Sequence, residues 1–287
     1  MNATAFMKTA MSEAFFNRFF YYYLHLRGGR IPKRLDLKTP TTFNEKTIWL
    51  KMNHRQPNAN VLVDKVRVKE HVRNIIGPQY LIPNIAVYES AAEVDFAVLP
   101  DAFVLKANHG SGWNIICPRK VELDVALAKK RLDGWLRTNY FDIGKEYQYR
   151  DVAPRILCEA YLENTAESPL LDYKIFCFSG RPRFIQVDFD RFTNHTRGFY
   201  DLNWERLPFT TLYPMSTRQA LRPDALGEML SIAETLAKGL IFARIDLYYH
   251  NGKIYFGEVT FHHGGGFEPF LPQEYDELCG QFLALPA

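Results

Sequence analysis

The sequence predicts a mixed α+β fold, and three observations predict it. Segments with helical hydrophobic periodicity are interleaved with runs that read as strands. Two long strand runs fold back at turn dipeptides, Ser179-Gly180 and Asn251-Gly252, so antiparallel hairpins are expected. No repeat, low-complexity tract or long linker interrupts the pattern, so the 287 residues form one large domain or two or three lobes sharing a cleft.

Taken in order, residues 11–27 read as a helix that stops at Gly28-Gly29. "TPTTFNEKTIWLKMNH" (39–54) carries a turn and cap signal, then a helical pattern with Phe43, Ile48, Trp49 and Met52 apolar. "VDKVRVKEHVRNII" (63–76) reads as an amphipathic helix ending at Gly77-Pro78. "FVLKAN" (103–108) is a strand running into "HGSG", and residues 121–141 have helical periodicity. "RILCEAYL" (155–162) is a strand, and residues 172–191 form the first hairpin. A helix over 222–240 opens near Pro223, and 242–261 is the second hairpin.

The apolar and charged fractions are those of a folded soluble protein, and the net charge of +3 is spread along the chain. That excludes a dedicated nucleic-acid binder, whose basic residues cluster. Cys117, Cys158, Cys177 and Cys279 form no C-x-x-C pair and sit in apolar settings, as reduced core residues of a cytosolic protein would. "MNATAFMKTAMSEAFF" lacks the apolar core of a signal peptide, so none is expected. "FFNRFFYYYLHL" (15–26) is too short to span a bilayer and contains Arg18. It reads as a helix packed on the body, with a peripheral contact at the inner face of a membrane as the other reading.

The chemistry-bearing residues begin with the second hairpin. Asp246 and Glu258 lie at similar distances from the Asn251-Gly252 turn and are expected to face each other. Two facing carboxylates make a Mg²⁺ site completed by phosphate oxygens. Arg244, two residues earlier, shares their face and reaches a phosphoryl group held there. A pair of solvated charges on an edge hairpin satisfies the same pattern. "KANHGSGWN" (106–114) sets Lys106 before Gly110 and Gly112, a loop able to cover phosphates, although the lysine precedes the glycines and the loop is not a Walker A motif. Asp172 and Lys174 share a strand face, as phosphate-site residues or as a surface ion pair. Lys65 alone reads as any helix-surface lysine.

Together, "FNEK", "VDK", "FVLKANHGSGWNII", "PRILCEAYL", "LDYKIFCFSG", "ARIDLYY" and "YFGEVTFHHGGGF" resemble the ATP-grasp superfamily, and within it the branch named for teichuronopeptide biosynthesis, TupA-like. The resemblance runs from about residue 43 to 268. It implies two α+β lobes clasping ATP behind an N-terminal helical segment: residues 1–62 packed on the body, 63–160 as the small lobe with its glycine-rich lid, and 161–287 as the lobe with the Mg²⁺ hairpin. It implies that Lys65, Lys106 and Lys174 contact nucleotide phosphates, that His109, Gly110, Ser111 and Gly112 form the lid, and that Glu159 and Tyr161 lie at the hinge meeting adenine. Asp246 and Glu258 match the Mg²⁺ carboxylates and Arg244 a catalytic arginine, with Lys174 beside it. Many relatives have Glu-x-Asn at the third metal position; here it is Glu258-x-Thr260, and a hydroxyl is the poorer ligand.

The reaction implied is ATP-dependent carboxylate–amine ligation through an acyl phosphate, with ATP and Mg²⁺ as cofactors. The branch points to a uronic acid of a surface polysaccharide, or of its precursor, joined to an amino acid taken as a small molecule in the cytoplasm. Arg191, His195 and Arg197 are expected to hold an anionic acceptor, or to form a basic surface loop. In "HHGGG", His262, His263, Gly264 and Gly265 are expected to pass close to that acceptor, and two loop histidines in hydrogen bonds account for the pattern equally. A sugar kinase using the same site and a glycosyltransferase with "DFD" (188–190) are the rival readings. Oligomeric state is not legible.

Overall fold

The structure, a computed structural model, describes residues 11–29, 31–163, 170–190 and 193–286. The fold class is the mixed α+β one expected. The chain divides into two compact units, Met1–Gln56 with Leu171–Ala287, and Pro57–Leu170. The sequence suggested three segments, 1–62, 63–160 and 161–287; the difference is that the N-terminal helices share a unit with the C-terminal part.

Helix α1 (Glu13–Arg27) starts at Ser12, whose hydroxyl accepts from the Phe15 N–H, and α2 (Phe43–Asn53) starts in a capping box between Thr42 and Glu45. The run expected as one helix over 63–76 is two, α3 (Ala59–Val63) and α4 (Arg67–Ile76). Asp64 breaks it by accepting from the Val66 and Arg67 N–H groups, so Lys65 sits in a turn and not on a helix face.

The Pro57–Leu170 unit is built on strands β1 (Asn84–Tyr88), β2 (Phe103–Ala107), β3 (Asn114–Cys117) and β4 (Ile156–Ala160), antiparallel in the order β1-β4-β2-β3. Helices α5 (Val125–Leu136) and α6 (Tyr140–Gly144) accompany it. Strand β2 alternates: Phe103, Leu105 and Ala107 are buried with Ile156, Cys158 and Leu132, while Val104 and Lys106 are half-buried on the other face.

The other unit carries strands β5 (Asp172–Phe178), β6 (Arg181–Phe189), β7 (Thr196–Tyr200) and β8 (Arg206–Leu207), the short β9 (Thr210–Thr211), helix α7 (Leu226–Ala237), strands β10 (Phe242–His250) and β11 (Lys253–Thr260), the short β12 (Phe270–Leu271), and helix α8 (Glu274–Gln281). Six of them form an antiparallel sheet ordered β11-β10-β5-β6-β7-β8. Both hairpins turn where expected, with Ser179, Gly180, Asn251 and Gly252 at positive φ. A phenylalanine cluster, Phe43, Phe176, Phe178, Phe184, Phe199 and Phe242 among it, forms the core. The four cysteines are buried and unbridged.

Candidate functional site

Register places the hairpin carboxylates. Asp246 on β10 lies opposite Glu258 on β11 and opposite Lys174 on β5, and Lys174 lies opposite Gln186 on β6. Arg244 is opposite Thr260 and Phe176, and Asp172 is opposite Asp188, which faces Arg197. A strict two-residue hairpin would pair Asp246 with Gly257 and turn Glu258 to the other face. A bulge between Asp246 and Leu247 takes up Gly257 and brings Glu258 round. The bulge is tight: a Cβ on Gly257 would stand 3.0 Å from the Asp246 carbonyl oxygen.

The side chains close a continuous ionic chain. Arg244 donates from Nε to Asp246 Oδ1 and from Nη2 to Asp246 Oδ2, both at 2.6 Å. The same Nη2 reaches Glu258 Oε1 at 3.1 Å, and Nη1 donates to His263 Nδ1 at 2.9 Å. Four of its five N–H groups are thereby engaged. Lys174 donates to Asp246 Oδ2 at 2.8 Å and to Asp172. Because His263 Nδ1 accepts, the ring proton is assigned to Nε2, which lies 3.1 Å from Glu268 Oε2 without hydrogen-bond alignment. Glu268 accepts from Arg197 Nη1 at 2.6 Å and Thr211 Oγ1 at 2.8 Å, and Arg197 Nε donates to Asp188 Oδ1 at 2.7 Å. His195 Nε2 ends the chain, 3.1 Å from Asp188.

Burial governs the electrostatics. It raises Asp246 and Glu268, but Arg244 and Lys174 outweigh it at the first and Arg197 and His263 at the second, so both fall below the ordinary carboxylate range. Burial lowers Lys174 and Arg244, yet the facing carboxylates raise both above their ordinary values. Burial pushes His263 below its ordinary value, against the opposing pull of Glu268. Among the described residues, the carboxylates of this chain of contacts, Asp172, Asp188, Asp246, Glu258 and Glu268, outnumber its lysine and arginine side chains, Lys174, Arg197 and Arg244.

That excess, next to a Glu258 side chain one-third exposed, suits a divalent cation. Among the described residues no group of three or more His, Cys, Asp or Glu side chains is disposed to hold a metal. Asp246 and Glu258 therefore fit Mg²⁺ only as the protein share of a shell completed by phosphate oxygens and water. The Thr260 hydroxyl points at Glu258 Oε1, 3.4 Å away.

The Pro57–Leu170 unit holds the other predicted residues. Glu159, on β4, is buried between Lys69 and Lys106, the latter 2.5 Å away. Burial raises Glu159, but Lys106 and then Lys69 bring it below its ordinary value. Tyr161 lies just past the strand end, half-buried. The loop expected as the lid has a hydrogen-bonded base and an exposed tip. Asn108 Nδ2 donates to Asp64 Oδ1 and the Ala153 carbonyl, and its Oδ1 accepts from the Arg155 N–H. His109 is buried with Nε2 3.0 Å from the Trp135 carbonyl oxygen, and burial holds it below its ordinary value. Gly110 packs beneath Trp113 and Tyr140, Lys65 Nζ contacts its carbonyl, and Ser111 and Gly112 are exposed.

Several of the residues expected at the acceptor are buried. Arg197 is 4% exposed and spends its charge on Asp188 and Glu268, so it is no basic surface residue. Arg191 lies outside the described residues. Gly264, Gly265 and Gly266 have positive φ, and a Cβ on each would collide with Glu268, Phe267 and Ile48 respectively. Their closest neighbours are thus the protein's own side chains. His262 is buried beside them. Lys69 and Glu268 were missed. Lys69 had a signal, since it stands in the apolar stripe with Val72 and Ile76; Glu268 had none, because its partners come from distant strands.

A search of curated proteins returned no match. Among solved structures, the chain is similar to a D-alanine–D-alanine ligase from Bacillus anthracis complexed with ATP (15% identity, TM-score 0.41, 76% of this chain and 55% of that one). It is also similar to the Helicobacter pylori D-alanine–D-alanine ligase (15%, 0.44, 85% and 69%) and to the ATP-grasp ligase PsnB complexed with minimal precursor, Mg and ADP (11%, 0.39, 76% and 57%). The chain spans little more than half the length of the Bacillus anthracis ligase and of PsnB. The family model described as TupA-like ATPgrasp matches residues 45–284, all but the first 44 and last three residues, and the chain belongs to that family.

Proposed function

We propose that the protein is an ATP-dependent carboxylate–amine ligase that forms an amide through an acyl phosphate, joining an amino acid to a uronic acid of a surface polysaccharide or its precursor. The observation that carries the reading is the bulged hairpin, which sets Asp246, Glu258, Arg244 and Lys174 on one sheet face in a chain of the ATP-grasp family. Asp246 and Glu258 would hold Mg²⁺, which supplies charge neutralisation to the transferring phosphoryl group. Lys106 and Lys65 take nucleotide phosphates. Arg244, clamped by Asp246, Glu258 and His263, presents its remaining N–H to charge that develops on the reacting carboxylate, at no reorganisation cost. Lys174 holds Asp246 ionised and in place. A cytoplasmic location, with residues 15–26 at the inner face of a membrane, belongs to the same reading.

The test is incubation with Mg-ATP and a panel of uronic acids and amino acids, followed by ADP release and product mass. The expected product has the mass of the two substrates less one water. A product carrying phosphate on a sugar hydroxyl, or no ATP consumption with any pair, overturns the proposal. With a working pair, Arg244→Ala is expected to lower turnover about a hundredfold while changing ATP affinity less. Glu258→Gln is expected to remove most turnover with little loss of stability, because Glu258 is partly exposed.

A further inference from the structure

Helix α1 has two faces of unlike fate. Its inner residues Phe16 and Tyr21 are buried with Leu35, Ile48 and Phe267, the Phe16 and Phe267 rings 6.2 Å apart. Its outer stripe is Phe15, Phe19, Tyr23 and Leu26, with 56%, 42%, 44% and 63% of their surface exposed. Phe15 stacks on Phe19 at 6.3 Å and Phe19 on Tyr23 at 5.9 Å, and Phe19 and Tyr23 meet the half-buried Phe20 edge-on. With Arg18 and Tyr22 they line a shallow groove of about 300 Å³. A soluble surface scatters its apolar side chains singly; a continuous aromatic stripe marks a contact.

Charge identifies the contact. Residues 11–38 contain six basic residues (Arg18, Arg27, Arg30, Lys33, Arg34, Lys38) and two acidic ones (Glu13, Asp36), a net +4 against +3 for the whole chain. Arg18 is exposed within the aromatic stripe, Arg27 and Arg34 are exposed beyond it, and Ile31 is 90% exposed between them. Lys33 is paired with Glu277. Aromatic rings that sit at headgroup depth, flanked by arginines that reach phosphates, are the chemistry of an anionic bilayer surface. A second copy of this chain would bring the same positive charge against itself.

We propose that the outer face of α1, with the basic segment that follows it, docks on the surface of an anionic phospholipid bilayer, Phe15, Phe19, Tyr23 and Leu26 entering the headgroup layer. This deepens the location proposed above and is independent of the ligation chemistry, since the test needs no turnover. The full chain is sedimented with vesicles of phosphatidylcholine mixed with phosphatidylglycerol, and with vesicles of phosphatidylcholine alone. Partitioning onto the anionic vesicles is expected to be stronger by about tenfold or more and to weaken as salt is raised. Phe15→Asp with Phe19→Asp is expected to lower it by about tenfold at unchanged thermal melting, because both side chains are exposed. Should that pair fail to fold, Arg18→Glu with Arg27→Glu tests the same surface through charge alone. Equal binding to both vesicle types, binding to neither, or variants that partition like the wild type overturns the proposal. So does a concentration-dependent dimer that the Phe15, Phe19 double variant abolishes, which would make a second copy the occupant.

Discussion

Arg197 shows what a single buried charge does in this protein. It lies between Asp188 and Glu268 and its guanidinium stands 5.0 Å over the Tyr213 ring. Removing one partner of a buried ion pair leaves the other charge uncompensated, which costs more than the pair itself contributes. Arg197→Met keeps the bulk and strands two carboxylates. The expected loss is about 3–5 kcal/mol in urea unfolding at pH 7. The double variant Arg197→Met with Glu268→Gln is expected to recover part of that loss; equal midpoints for wild type and the single variant would remove this pair from the chain of contacts reaching Arg244.

At the scale of elements, α2 and α8 meet through a carboxylate. Asp276 Oδ1 accepts from the Asn44 N–H at 2.9 Å and Oδ2 from Asn44 Nδ2 at 3.1 Å. Burial pushes Asp276 up to about 7 despite these donors. Its folded value therefore exceeds its unfolded one, and between roughly pH 4 and 7 the native state holds a proton that the unfolded chain has lost. Stability from this group is full below the unfolded value and declines as pH rises toward 7, the reverse of a salt-bridged aspartate. Asp276→Asn removes the titration. The variant is expected to gain on the wild type by about 2 kcal/mol between pH 5 and pH 8. Unfolding free energies measured at both pH values check it, and a difference that does not change with pH would show that Asp276 is ionised throughout.

At the scale of the molecule, ligand and fold are linked by mass action. Mg-ATP at 100 times its dissociation constant is expected to add about 2.7 kcal/mol and to raise the melting temperature by roughly 5–10 °C. Lys106→Ala removes the partly exposed ammonium beside Glu159 and is expected to reduce the shift without lowering the melting temperature of the apo protein by more than a few degrees. EDTA is expected to reduce it also. No shift at millimolar Mg-ATP would argue that the chain does not bind the nucleotide. No helix among the described residues is long and apolar enough to cross a membrane, so the bilayer contact proposed for α1 is a surface one.

Much was legible because it is local. Turn dipeptides, a capping box and period-two alternation lie within a few residues of one another, so both hairpins, α1, α2 and the strand before the lid could be read directly. The motif strings sufficed for the family, since their order survives without coordinates. Tertiary structure decided the rest. Counting from the Asn251-Gly252 turn brings Asp246 and Glu258 near each other, but only the bulge at Gly257 puts them on one face, and a bulge is set by neighbouring strands as much as by its own residue. Whether Arg197 and His263 meet solvent or a carboxylate depends on Glu268, Asp188 and Arg244, which approach them from β6, β10 and the segment before β12. Sequence spacing carries little information on such encounters, because part of the charge that offsets burial comes from residues far along the chain, as Glu268 does for Arg197 and Asp246 for Lys174.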